Sequence, residues 1–422
     1  VNLTAIRHED WDELHIAIPA PQTDVETAQE TLMRAVSAAH RAGADVLHAN
    51  VFARTAPGGT PLTAPRGVPV SFVEGKPVAP SPQPSALSSP LSALSSKLSA
   101  PGSQPSATSP QPSALSSQLS ALSPPPSALS SKLSAPSSQP SSLSPQLLVS
   151  GLQAVAARNA AVTHYDAENG ATVVVVEDRF ARWAYVTGVV PANLWATQHD
   201  QAYDAYGRAE AALALAGMSF RQVIRTWVFV EDILGWYGDL NRARTAFYRE
   251  RGVFDGIVPA STGVGACNPA GAAVLLNLMA LAPKSADIVV ERIRSPLQCS
   301  AEDYGSSFSR ALEIREPGLR RLLVSGTASI APDGSTCHVG DLDGQIELTL
   351  DVVEAILRSR GMNWSDVTRA TAYFRAGADA PALNERLGAR AMPALPWIVT
   401  ECTICRDDLL FEIEVDACLP RG

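Results

Sequence analysis

The chain has 422 residues, 46% of them apolar, and a formal charge of −9 from 33 basic and 42 acidic side chains. That apolar share fills two or three cored domains, which excludes fibrous and wholly disordered classes. The basic residues form no block, so nucleic acid is a disfavoured partner. No apolar run approaches the roughly 18 residues of a membrane span, and no basic stretch leads into an apolar one at the N-terminus, so a cytoplasmic protein with no membrane partner is expected.

From the N-terminus, residues 14–18 alternate as a strand, 24–42 read as a helix, and 45–53 read as turn and strand. These place an N-terminal α/β segment over 1–78, a degenerate third copy of the modules described next. Residues 79–147 are low-complexity: Ser92-Ala93-Leu94-Ser95-Ser96-Lys97-Leu98-Ser99-Ala100-Pro101 recurs identically at 127–136. Prolines interrupt any helix there and isolated leucines build no core, so a disordered Ser/Pro-rich insertion is expected.

Downstream lies a duplication. Gly217-Met218-Ser219-Phe220-Arg221-Gln222-Val223-Ile224-Arg225 is echoed 144 residues later by Gly361-Met362-Asn363-Trp364-Ser365-Asp366-Val367-Thr368-Arg369. Helical stretches, 203–216 and 345–360, precede each copy, and the glycine stops the helix by accepting a left-handed backbone. Alternating strands follow at 225–230 and 369–374, and strands ending in glycine precede each helix at 184–188 and 322–326. Closing strands lie near 274–281 and 409–416. This order predicts an α+β fold of duplicated modules, 148–295 and 296–422, each a mixed sheet with helices packed on one face.

Six cysteines are too few for a disulfide scaffold in so long a chain. Cys402 and Cys405 form a C-x-x-C after β-rich residues, whereas redox pairs usually open a helix. Zinc would need two further ligands at suitable spacing. No metal and no cofactor are expected.

The chain resembles the RidA/YjgF-like (chorismate-mutase-like) fold and, more narrowly, the chorismatases built on it. The glycine-marked helix end, the aromatic-bearing strand after it, and the closing strand Leu409-Leu410-Phe411-Glu412-Ile413-Glu414-Val415 carry the first likeness. Tyr304-Gly305-Ser306-Ser307-Phe308-Ser309-Arg310, Ser325-Gly326-Thr327-Ala328-Ser329-Ile330 and Cys405-Arg406-Asp407-Asp408-Leu409-Leu410-Phe411-Glu412 carry the second, with Pro259-Ala260-Ser261-Thr262-Gly263-Val264-Gly265 in agreement. The resemblance implies a cofactor-independent enzyme that releases pyruvate from chorismate. Its ring product is 3-hydroxybenzoate first, 4-hydroxybenzoate second, or the dihydroxycyclohexadiene carboxylate formed by hydrolysis. RidA-like imine deamination and a non-enzymatic ligand-binding role stay open beside it. Against deamination, Trp397 stands where deaminating relatives keep a carboxylate-binding arginine. Monomer, dimer and trimer are all open, so a homo-oligomer is among the expected states.

If Leu410, Glu412 and Glu414 share one strand face, Phe411 and Ile413 fill the other. By resemblance Glu412 is the general acid, which requires a carboxyl pKa raised by apolar surroundings or nearby negative charge. The counterpart strand near 274–281 carries no acid. Arg310 is expected to hold a substrate carboxylate bidentately, with hydroxyl contacts from Tyr304, Ser307 and Ser309. Arg179 or Arg182 is expected at the second carboxylate. A backbone angle explains Gly326 by itself; the alternative is that Gly326, Thr327 and Ala328 admit the ring, with Thr327 hydrogen-bonding it. Cys405, seven residues before Glu412, is either core packing or, by resemblance to the aromatising subclass, a partner that favours hydroxybenzoate.

Overall fold

The structure, a computed structural model, describes residues 1–19, 28–54, 68–74, 76–77, 148–168 and 170–420. The Ser/Pro-rich segment 79–147 lies outside the described residues.

Three sheets repeat one plan. The N-terminal sheet runs β1(Asn2–Arg7), β2(Asp12–Pro19), β6(Leu148–Arg158), β3(Ala44–Arg54), β4(Val70–Glu74), and is covered by α1(Ala28–Arg41). The middle sheet is built from β7(Ala161–Asp166), β8(Thr172–Glu177), β9(Ala181–Val189), β12(Val274–Pro283), β10(Val223–Val230) and β11(Ala260–Gly265), with α2(Gln198–Leu215) and α3(Ile233–Glu250) on its outer face. The C-terminal sheet follows as β13(Val289–Ile293), β14(Ala311–Glu316), β15(Leu319–Ala328), β18(Phe411–Pro420), β16(Val367–Phe374), β17(Trp397–Glu401) and β5(Lys76–Pro77), under α4(Leu342–Ser359) and α5(Ala380–Ala389). In each sheet the closing strand inserts antiparallel between two earlier strands, and one pair is parallel: β3–β4 and β10–β11 at the edge, and β16–β17 one strand in from β5.

The mixed sheets with helices on one face are as the sequence predicts, and the N-terminal segment follows the same strand order. One boundary moves. The predicted break at 148 gives Leu148–Arg158 to the next module, but β6 pairs with β2 and β3 and supplies the closing strand of the N-terminal sheet. Gly217 and Gly361 have φ of +66° and +69°, the left-handed stops expected after α2 and α4. The sequence reading missed α3, which carries part of the site.

The helix-covered faces hold separate apolar cores; the opposite faces meet in a shared one containing Trp183, Tyr185, Trp227, Phe229, Phe52, Leu323 and Tyr373. Each helix-following strand bulges at the same place, between Val46/His48, Val223/Arg225 and Val367/Arg369. A bulge re-aims the next side chain, and Arg225 and Arg369 are both buried against the shared centre.

Candidate active site

Strand alternation on β18 sends Phe411, Ile413, Val415 and Ala417 into the core under α4. Glu412, Glu414 and Asp416 therefore share the inner face, and all three are buried. The two glutamates meet opposite environments. Glu414 takes hydrogen bonds from Arg225 Nη2 and Arg369 Nη1, each 2.7 Å, from Trp227 Nε1 at 3.1 Å and from the Thr262 hydroxyl. Burial alone would raise its pKa, but the two guanidinium groups and the hydroxyl hold it at about 2. Glu412 is 5% exposed and takes no hydrogen bond among the described residues. Burial, then the charge on Glu414, push its carboxyl up to about 8, with Arg310 opposing. One strand thus carries a fixed anion and, two residues before it, an acid that keeps its proton near neutrality.

Glu412 sits beside a distortion. The β15–β18 register shifts between Val324 and Thr327, and its carboxyl reaches over the backbone of Gly326. A Cβ at Gly326 would collide with Glu412 Oε1. Gly326 has no positive φ, so the backbone-angle explanation gives way: the position is glycine to leave room for the acid.

The acid lines a pocket between the middle and C-terminal sheets, with Tyr237, Arg244, Tyr304, Arg310, Gly326, Ala328, Cys405 and Arg406 around it. The two sheets are stitched together there by Ser309 N to Pro259 O at 2.9 Å, Ser261 N to Ser325 Oγ at 2.9 Å and Arg225 Nη1 to Val324 O at 2.8 Å. Three cations line the same pocket, Arg310 near enough to act on the acid, and none makes an ion pair among the described residues. Arg310 is 5% exposed, donates Nε to Cys299 O at 3.0 Å, and leaves Nη2 without an acceptor. Arg244, 3% exposed, donates to Asn241 Oδ1 and leaves Nε unpaired. Arg406 donates to Gly334 O at 2.8 Å. The guanidinium groups of Arg310 and Arg406 each lie 5.3 Å from the Tyr304 ring centroid. Unpaired buried cations are costly, and a bound dianion removes that cost. The free space is about 50 Å³, room for little more than water, so a ring-sized ligand requires side chains to move. Tyr237, hydrogen-bonded to Ser306 at 3.3 Å, and Tyr304 separate it from an outer groove of about 580 Å³.

Cys405 faces this pocket as a thiol. Burial, then the negative charge of Glu412, raise it to about 12, so it is a weak hydrogen-bond donor and not a thiolate nucleophile.

No protein-family model matches the chain. It is 28% identical over 220 residues to a chorismatase of Streptomyces hygroscopicus, covering 47% of this chain and 62% of that protein. It is 29% identical over 228 residues to a 3-hydroxybenzoate synthase of Streptomyces hygroscopicus, covering 47% and 64%. The aligned stretch spans less than two thirds of these curated relatives. The crystal structure of a chorismatase superposes with a TM-score of 0.59 over 99% of both chains, at 17% identity, a likeness of fold. The chain resembles the chorismatases in sequence and in fold.

In this chorismatase-like chain, the pocket gathers Glu412, Cys405, Arg310, Tyr304, Gly326 and Ala328 from the predicted set. The other predicted residues lie elsewhere. Ser307 bonds Thr245 at 2.7 Å, Ser309 donates to Val258 O at 2.6 Å, and Thr327 donates to Ser325 O at 2.8 Å; all three hold backbone or neighbouring side chains. Arg179 pairs with Glu9 and Asp10, and Arg182 with Glu177, at 3.0 Å, and Ala216 O, away from the pocket, so neither meets a ligand there. Trp397 packs half-buried against the core beneath α4 and α5. A second buried arginine does line the pocket, Arg244, which the sequence reading did not single out. Tyr237, Leu240 and Arg244 recur at intervals of three and four on α3, which gives one helix face to the pocket.

Proposed function

We propose that this chain acts on chorismate, releasing pyruvate and forming a hydroxybenzoate, with Glu412 as the general acid. One observation carries the reading: a buried carboxyl raised to about 8 shares its pocket with three arginines that make no ion pair among the described residues. Chorismate carries two carboxylates and an acid-labile enol ether. Arg310, Arg244 and Arg406 hold the carboxylates, and Glu412 gives its proton to the enol methylene carbon. The ring carbon–oxygen bond then breaks, its electron pair going to the oxygen that becomes the pyruvate carbonyl. The neighbouring ring hydroxyl oxygen closes onto the vacated carbon as an arene oxide, and its released proton restores the Glu412 acid. Opening of that oxide with loss of a ring proton gives hydroxybenzoate, so every product atom comes from chorismate.

The decisive test is purified protein with chorismate, assayed for pyruvate by a coupled dehydrogenase and for the ring product by mass spectrometry. Pyruvate with 3-hydroxybenzoate is expected; no pyruvate sinks the reading. Ammonia released from amino-acid-derived imines would establish deamination in its place.

Cys405 supports the aromatising outcome over hydrolysis, because a neutral thiol occupies space against the ring that a water would need. Cys405→Ala is expected to keep pyruvate release and divert part of the product to the diene diol, read from the ratio of the two ring acids. Arg244→Met is expected to raise KM for chorismate about 100-fold with a smaller change in kcat, since losing one partner of a desolvated charge pair costs about 2–5 kcal/mol.

A further inference from the structure

One helix walls two spaces. On α3, Tyr237, Leu240 and Arg244 line the reaction pocket, while Gly238, Asn241, Arg242, Thr245 and Arg249, again at intervals of three and four, line the outer groove of about 580 Å³. Tyr304, Gly305, Ser306 and Arg406 form the groove's other wall. Tyr237, Tyr304 and Arg406 line both spaces, so the groove and the pocket adjoin across these three side chains. The groove's charge is one-sided. In a chain of net charge −9 it carries three arginines and no Asp or Glu among its lining residues. Arg242 is paired with Asp239, one turn away on the same helix. Arg249 is exposed, and neither it nor Arg406 makes an ion pair among the described residues.

We propose that this groove is the entrance to the reaction pocket: a vestibule that collects a small dicarboxylate on Arg249 and Arg406 and passes it inward between Tyr237 and Tyr304. The inference rests on the reading that the pocket acts on such a dianion, and it adds the place where the dianion enters. A cleft lined by one sign of charge concentrates the opposite ion and raises its arrival rate, an effect that fades as salt is added. Arg406 joins the two stages, because a carboxylate drawn to it in the groove moves inward without leaving its cation. The door is lightly held. The Tyr237 hydroxyl meets Ser306 at 3.3 Å, and the Tyr304 hydroxyl makes no hydrogen bond among the described residues. The Tyr304 ring lies 5.3 Å from the guanidinium groups of both Arg310 and Arg406. An entering carboxylate replaces that ring with a stronger partner for the same two cations, which offsets the cost of turning the ring aside.

Steady-state kinetics with chorismate over a range of salt concentrations test the collecting role. Arg249→Glu is expected to lower kcat/KM about 5-fold at low ionic strength, the order that Coulomb attraction in water gives for a two-unit charge change acting on a dianion. The difference should close as salt rises, with kcat kept throughout. The same reversal at Arg358 on α4, whose side chain is 72% exposed, is expected to change neither constant. Equal kcat/KM in wild type and Arg249→Glu at every salt concentration, or an equal loss in Arg358→Glu, overturns the proposal. The route is tested at Ala246, half-buried in the groove wall. In Ala246→Cys a bulky maleimide adduct is expected to abolish pyruvate release beyond any loss in identically treated wild type, while a methylthio adduct at the same position leaves it. Turnover that survives complete labelling with the bulky reagent overturns the route. Failure of the catalytic reading is visible separately, as absent pyruvate release by wild type, and the vestibule is then read from the labelling rate. Chorismate is expected to slow maleimide modification of Ala246→Cys, and to slow it less when Arg249→Glu is added; absence of protection overturns the vestibule whatever the chemistry inside.

Discussion

Glu412→Gln is expected to lower kcat for pyruvate release from chorismate by a factor of at least about 1,000, at the strong end of general acid catalysis because no second carboxyl lines the pocket among the described residues. Gln fills the same volume and keeps the neighbouring groups apart, so the dissociation constant for chorismate changes little. Near-wild-type turnover in this variant would remove Glu412 from the chemistry. The rate in wild type has a defined pH limb: the acid form is the active one, and with the carboxyl at about 8, activity falls as pH rises through that value. Carboxylates of a bound substrate raise it further, so the kcat limb should lie above that of kcat/KM.

Stability provides an independent reading of the same group. A carboxyl whose folded pKa is raised above its unfolded value of 4.5 contributes stability that is full below that value and is lost as pH rises through about 8. Gln at this position loses nothing over that window. Glu412→Gln should therefore unfold at a higher temperature than wild type at pH 8, with the difference closing below pH 4.5.

How much of this was legible depended on which interactions are local. The alternation of Phe411, Glu412, Ile413 and Glu414 fixes their faces from sequence alone, and the folded β18 keeps that assignment. The glycine stops at Gly217 and Gly361 are likewise local. Arg244 is another matter: the sequence reading has no helix at 233–250, whose glycines at 235 and 238 and non-helical Trp236 (φ −145°) blur the helical period. Nothing local says that this helix faces a strand 168 residues later. Arg179 and Arg182 had the right chemistry, but Arg179 is taken by the distant Glu9 and Asp10, which spacing does not reveal, and Arg182 by Glu177, its local partner directly across the β8–β9 hairpin. The matched Arg225 and Arg369 were visible as repeat ends, yet their role appears only when one bulge per module turns both toward Glu414. The repeat also explains why, among the described residues, the candidate site forms at one of the three junctions. By strand register Glu412 opposite Tyr373 corresponds to Leu275 opposite Phe229 and Gly151 opposite Phe52. Those two junctions close with apolar contacts, Ile398 against Gly151 and Phe52 against Phe229, so only one has an acid to present.

Glu414→Gln separates the two carboxylates' roles and is expected to change both stability and pH profile. It leaves Arg225 and Arg369 buried, with Asp416 still held at 2.6 Å from Arg369 but no anion for Arg225. Removing one member of a buried charge network costs about 3–5 kcal/mol, a loss measurable by denaturant unfolding at pH 7. The isosteric amide retains hydrogen bonds and keeps the cost toward the lower end. Because the Glu414 charge is one of the causes that raise Glu412, its loss lowers the Glu412 pKa, and the alkaline limb of kcat/KM should move to lower pH. A merely structural role for Glu414 predicts the destabilisation without the displaced limb. An unmoved limb in folded Glu414→Gln protein would mean that burial alone sets the acid, and that the adjacent anion does nothing for catalysis.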